Sequence, residues 1–150
     1  TPTTSIDLYG DSWKKTGGED WRTVKGELFY IGEKVKAGVA YTSQLRKKPA
    51  TADFTLNVVS LFCEFKAGED VSPFVRADIS SSTVPGADKI EYYKMSKDGK
   101  PILLLVGVRF KVTDNLEVVP SLATVTYREG PGGITPRQDS IFRVTFVVKY

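Results

Sequence analysis

Every second residue of PILLLVGVRFKV, residues 101–112, is apolar: Ile102, Leu104, Val106, Val108, Phe110 and Val112 share one face. The other face carries Arg109 and Lys111 with Gly107 and two leucines. A period of two places successive side chains on opposite faces of a β-strand. The same period runs through the chain. KVKAGVAYTSQ (34–44) sorts Val35, Ala37, Val39 and Tyr41 from Lys34, Lys36, Gly38 and Thr42, and VSPFVRADIS (71–80) sorts Val71, Val75, Ala77 and Ile79 from Ser72, Arg76, Asp78 and Ser80. ADFTLNVVSLFCEF (52–65) sets Phe54, Leu56 and Val58 against Thr55 and Asn57, with a loss of phase after Val59 that a β-bulge would produce. RTVKGELFYI (22–31), NLEVVPSLATVTYR (115–128), the short SIDLYG (5–10) and the terminal SIFRVTFVVKY (140–150) complete eight predicted strands. Helical periodicity is nearly absent.

The connections alternate in length. Gly32-Glu33, Ala67-Gly68-Glu69-Asp70 and Thr113-Asp114-Asn115 read as tight turns with Gly, Asp and Asn where positive φ is needed. Between them lie polar segments predicted as long loops, at 11–20, 45–52, 81–100 and 129–139. An antiparallel up-and-down sheet then has all its long loops at one end and its tight turns at the other. FKAGEDVSPFV (65–75) and FKVTDNLEVVPSL (110–122) form a weak internal repeat of this hairpin. Pro73 and Pro120 each lack a ladder donor and are expected at a rim or bulge.

Composition changes the picture mainly by exclusion. At 150 residues, 41% hydrophobic and 26% charged, the chain is expected to form one folded domain over 1–150. The net charge of +3 is too mild to point to nucleic acid. No histidine is present, and Cys63 is the single cysteine, so no histidine- or thiolate-based metal centre and no His-dependent catalysis is expected. Neither a cofactor nor an enzymatic activity is expected. A carboxylate pair such as Glu27 and Asp78 would have to carry any chemistry, and nothing in the sequence places them together. No apolar run reaches the length of a membrane helix, and no signal peptide is visible. A chain that starts at Thr1 is expected to be a processed, excised or engineered one.

Alternation alone does not say which face is wet. A lipocalin-like barrel turns its apolar residues inward, whereas a membrane barrel turns them outward. Three features favour outward. The predicted strands run about 10 to 14 residues, against the roughly 9 to 11 that cross a bilayer. The loops are long at one end only. The polar face carries charges of both signs. Tyr9, Trp21, Tyr30, Tyr41, Phe54, Tyr127 and Tyr150 lie near predicted strand ends, where an interfacial aromatic girdle would sit.

GVRFKVTDNLEVVPSLATVTY and FKAGEDVSPFVRADI resemble the recurrent hairpins of bacterial outer-membrane porins, and RVTFVVKY resembles the C-terminal signal of outer-membrane barrels. The resemblance covers 54–80 and 101–150 and is poor over the first 50 residues. Cys63 departs from it, because such barrels usually avoid cysteine. The resemblance implies an all-β, antiparallel up-and-down transmembrane β-barrel of about eight strands in the bacterial outer membrane. The alternative is the C-terminal part or a shortened form of a larger barrel. It implies lipid or detergent and the barrel-assembly machinery as partners, and allows several copies to form one pore. Phe142, Val144, Phe146, Val148 and Tyr150 would face lipid and serve as the assembly signal.

Lumen-lining candidates are then Lys25, Glu27 and Lys36 from the first strands, Arg76 and Asp78 from the middle, and Arg109 and Arg143 from the last. A closed eight-stranded interior is just filled by side chains, so these charges read as ion pairs, Arg76, Arg109 and Arg143 against Glu27 and Asp78. In a wider pore the same cations would favour anions. Arg46-Lys47-Lys48 reads as a solvated basic loop or a lipid-phosphate contact, and Tyr92-Tyr93 as exposed loop aromatics. EGPGGIT follows a strand and opens no helix, so it reads as a flexible loop, not a phosphate cradle. The expected function is porin-like passage of small solutes or ions through a mildly basic lumen. The alternatives are a non-conducting barrel with structural or adhesive loops, and a soluble calyx for an apolar ligand, to which GDSW (10–13) gives an imperfect Gly-x-Trp likeness.

Overall fold

The computed structural model describes residues 1–14, 18–48, 51–83, 89–90, 93–94 and 96–149. Among them every regular element is a strand: β1 (Thr3–Lys14), β2 (Asp20–Ile31), β3 (Val35–Lys48), β4 (Thr51–Phe65), β5 (Val71–Ser80), β6 (Lys89–Ile90), β7 (Tyr93–Lys94), β8 (Gly99–Thr113), β9 (Leu116–Glu129) and β10 (Asp139–Val148). Eight of these form one antiparallel up-and-down sheet in the order β1-β2-β3-β4-β5-β8-β9-β10, and β6 and β7 pair apart as a small hairpin. The sheet and its strand number are those the alternation predicts. β1 and β10 are its two edges, and no ladder joins them.

The tight turns fall as predicted, at 32–34, 66–70 and 114–115, all at one end. Their backbone differs from expectation: the positive-φ glycines of the described chain are Gly18 and Gly133, in connections at the opposite end. Gly32 is small for another reason. A Cβ there would come within 2.8 Å of the Tyr30 hydroxyl. At the other end, the segment 45–52 is not the long loop the sequence suggests. β3 runs on to Lys48 and β4 begins at Thr51, with a register shift between Arg46 and Lys48. The polar residues there belong to strands because Arg46 stacks 4.0 Å above the Trp21 ring. EGPGGIT is a hydrogen-bonded turn, with Gly130 N donating to Ile134 O and Gly133 N to Gly130 O.

Pro73, the third residue of β5, stands near the rim as expected, whereas Pro120 stands inside β9. Pro73 sits where the β4–β5 ladder has already ended at Glu64↔Phe74. At Pro120 the β8–β9 ladder skips from Gly107↔Ser121 to Phe110↔Val118, so the missing donor interrupts pairing locally.

Cross-strand register sorts the side chains onto two faces. The buried residues Ala40, Glu64, Ser80, Leu103, Glu117, Ala123 and Val125 all lie on one of them, here the inner face. Among the described residues no second layer covers it. Leu56 of β4 nevertheless packs against the cluster of Leu103, Ala123 and Val125 from β8 and β9, with β5 between them in the sheet. A sheet brings such positions together only by curling towards that face. β4 corrects the sequence reading: its pairing with β3 runs without a shift from Phe54 to Phe65, so no bulge follows Val59. Leu56, Val58 and Phe62 point inward while Val59, Leu61 and Phe65 point outward, because this strand is apolar on both faces.

The outer face is the larger apolar surface. Leu8, Val24, Leu28, Leu61, Leu104 and Phe142 are all exposed on it. Charged residues enter this face only near the long-loop end, among the described residues at positions such as Lys14, Arg22, Lys47, Asp53 and Lys100. On β8 the uncharged run from Ile102 to Val112 covers about 33 Å of strand at ~3.3 Å per residue. At the tilt of membrane barrels that is a band of about 23–27 Å, near the ~25 Å apolar band of such proteins. The aromatic girdle is thinner than predicted. Trp21, Phe54, Tyr127 and Tyr9 share the inner register, Tyr30 and Tyr41 the outer, and Tyr150 lies outside the described residues.

The accessible surface is 9792 Å² for 16.6 kDa, whereas a compact soluble monomer of that mass exposes about 7,600 Å². The excess follows from the single curled sheet with an uncovered apolar outer face. Leu103→Ala should cost about 2–4 kcal/mol in denaturant unfolding. A loss under ~1 kcal/mol would show that the inner cluster is not the stabilising core.

Candidate functional site: the charged inner face

Near the tight turns the inner face carries a chain of alternating charges. Lys36 Nζ lies 3.2 Å from Glu64 Oε1, and Arg109 Nη2 lies 3.5 Å from Glu64 Oε2. Arg109 Nη1 donates to Glu117 Oε2 at 2.8 Å, and Lys149 Nζ reaches Glu117 Oε1 at 2.5 Å. The chain therefore ties β3, β4, β8, β9 and the end of β10. Both shared carboxylates are only 8% exposed. Each has two cationic partners, as a buried carboxylate requires. The Nε of Arg109 has no partner. Near the end of β8, Lys111 Nζ pairs with Asp114 Oδ1 of the last tight turn, and that hydrogen bond, with the charge behind it, holds the Asp114 carboxyl below its usual range.

Further along the same face, a cleft of about 590 Å³ is bounded by two same-strand ion pairs. Lys25 pairs with Glu27 on β2, and Arg76 Nε with Asp78 Oδ1 at 3.0 Å on β5. Its floor comes from the small residues Gly38, Ala40, Thr42 and Ser60 of β3 and β4. Gly38 is small because the Phe29 ring lies over it, 2.6 Å from where a Cβ would stand. Leu56, Val58, Phe62 and Leu103 make the remaining wall apolar. At the long-loop end, Trp21, Arg46 and Phe54 stack across β2, β3 and β4. Arg46 Nε also donates to Gln44 at 2.6 Å, and Trp13 meets Trp21 edge to face at 6.1 Å.

All seven lumen candidates stand on the inner face. Lys25, Glu27, Arg76 and Asp78 meet around the cleft, while Lys36 and Arg109 belong to the charge chain. Arg143 projects from β10 opposite Ser121. The expected pairing needs one correction: Arg76 does pair with Asp78, but the acids that hold Arg109 are Glu64 and Glu117. Sequence reading missed both of these and Lys149. The register signal for Glu117 was present, since it alternates with the outward Val118 and Pro120. Glu64 was hidden by the double-sided apolarity of β4.

The other candidates separate. Phe142, Val144, Phe146 and Val148 are outward and exposed, Phe142 at 70% and Phe146 at 66%, and Tyr150 lies outside the described residues. Arg46 and Lys47 are strand residues on opposite faces, not loop residues, and Lys48 ends β3. Tyr93 pairs with Ile90 in the small hairpin, and Tyr92 lies outside the described residues. Cys63 is exposed on the outer face, opposite Ala37 and Val75. No metal-binding group of His, Cys, Asp and Glu occurs among the described residues. Comparison with known protein families, with curated proteins and with solved structures gives no match.

Glu117→Gln removes the charge that Arg109 and Lys149 share. It should destabilise the fold by roughly 1–3 kcal/mol, below the full value for a buried pair because both cations are partly exposed. In a double-mutant cycle with Lys149→Gln the two losses should be non-additive; strict additivity would show that the contact contributes nothing.

Proposed function

We propose that this chain is an integral β-barrel protein of the bacterial outer membrane, whose charged inner face lines a porin-like passage for small solutes or ions. The uncharged apolar band that crosses all eight strands on the outer face carries this reading. Water would leave that surface unburied, and lipid would cover it. In a bilayer the two edge strands must also find partners, since an open sheet edge in hydrocarbon costs several kcal/mol per unsatisfied group. β1 starts and β10 ends at the tight-turn end, so the two run antiparallel, and both turn their odd-numbered residues inward. Joining them requires no change of face.

Cations and acids alternate along the inner face, so selectivity is mild, with a preference for anions where Lys36, Arg76, Arg109 and Arg143 border the passage. The bridge from Lys36 to Lys149 crosses the inner face and favours a second reading, a barrel that is closed at the tight-turn end and does not conduct.

The protein should need detergent to remain dispersed, and its unboiled band in mild SDS should migrate apart from the boiled one. Val106→Arg, at the middle of the outer band, should cost about 2–4 kcal/mol in lipid. Conductance across a planar bilayer separates the passage from the non-conducting barrel. A monodisperse monomer in plain buffer that tolerates Val106→Arg would instead make the inner face the wall of a soluble calyx, and would defeat the proposal.

A further inference from the structure

We infer that the inner cleft is a binding site for a small zwitterion with an apolar side chain, of the size and charge pattern of an apolar amino acid. Register sets out its plan. Glu27 and Asp78 stand level with one another across Ala40 and Ser60, so two carboxylates face each other over a floor of small side chains. They are three inter-strand steps apart, about 14 Å along the sheet, and curling brings them nearer. Arg76 stands one inward position towards the turns on β5, and Lys25 one towards the loops on β2. An ammonium group on either acid therefore has that acid's own neighbouring cation beside it to receive its carboxylate. Leu56, Val58 and Leu103 offer the apolar bed for the side chain.

Two physical points make this a site for exchange. Both ion pairs are formed by neighbours on one strand, and Lys25 and Arg76 are partly exposed, so the pairs are of the surface kind that contributes little and opens easily. A zwitterion can replace the internal contact of one pair, its carboxylate on the cation and its ammonium on the acid, while the other pair stays closed, so no charge is left buried alone. The volume of about 590 Å³ suits a small organic ligand with some water retained. Weak binding of this kind is also what passage requires, since a solute must leave as readily as it enters. The inference rests on the passage reading for its role and not for the existence of the site.

The test is ¹⁹F NMR titration of the full chain in detergent with 4-fluoro-L-phenylalanine, 4-fluorophenethylamine and 3-(4-fluorophenyl)propionate, against empty micelles. The zwitterion should bind about tenfold more tightly than either singly charged analogue, the size of one charge-assisted hydrogen bond. Arg76→Gln should weaken the zwitterion and the propionate about tenfold without weakening the amine, because Asp78 is then freed of its own cation, and Ser60→Leu should abolish binding of all three. Equal affinity for the three compounds, or none for any, overturns the inference. If Ser60→Leu does not fold, the ranking of analogues and Arg76→Gln still decide. Arabinose entry into proteoliposomes tests the passage separately: entry without zwitterion binding sinks the site alone, and binding without entry sinks the passage alone.

Discussion

A single sheet with no layer packed over it can bury only one face, and only by curling until distant strands meet. That constraint governs this molecule. Leu56 reaches Leu103 and Val125 because the sheet bends across β5, and the bend leaves the other face uncovered. The residues given to the covered face are a mixture of small, apolar and charged groups, while the uncovered one is nearly all apolar in its middle. Soluble sheets distribute these types the other way round. That inversion, more than any single residue, is the observation on which the proposal of a lipid setting rests.

Charge on a covered face has to be compensated locally, and the sheet does this in two ways. Near the turns, Glu64 and Glu117 are each shared between cations from different strands, so their loss would leave a positive charge in a partly dry place. These contacts cross the sheet and join strands at the tight-turn end, where the Phe74 ring lies over Gly107. Around the cleft the pairs are between residues two apart on one strand. They fix no strand to another. One region is a brace and the other an accessible lining, although both draw on Lys, Arg and Glu.

The strands were legible because alternation is a strong signal when one face is uniformly apolar. Val71–Ser80 and the run ending at Val148 were predicted to within a residue or two of their bounds. Legibility failed where the alternation did. In β4 both faces are apolar, so the phase after Val59 could be mistaken for a bulge, and Glu64 could not be assigned a side. At Leu45–Lys48, cationic composition suggested a loop, yet the stacking of Arg46 on Trp21 comes from a cross-strand neighbour 25 positions earlier in the chain, which local pattern cannot see. The inward aromatics failed for the same reason: proximity to a strand end is visible in sequence, and parity relative to a distant partner is not.

Edge strands complete the physical account. β1 is exposed along nearly its whole length, and β10 alternates between exposed and half-buried positions while its outer side chains stay exposed. In water, long edges of this kind invite pairing with any other strand. Here the outer faces of both are apolar in their middle, and the inner faces carry Asp7 and Asp11 on β1 and Asp139 and Arg143 on β10. Because the inward residues of both strands are odd-numbered, a β1–β10 ladder would bring their charged residues onto one inner face and keep the apolar band continuous. The same parity would serve an edge-to-edge contact with the opposite edge of a second copy. Lumen width would differ between the two arrangements, and the division of the inner face into brace and lining would persist in both, since every contact that defines it lies between the start of β2 and Lys149.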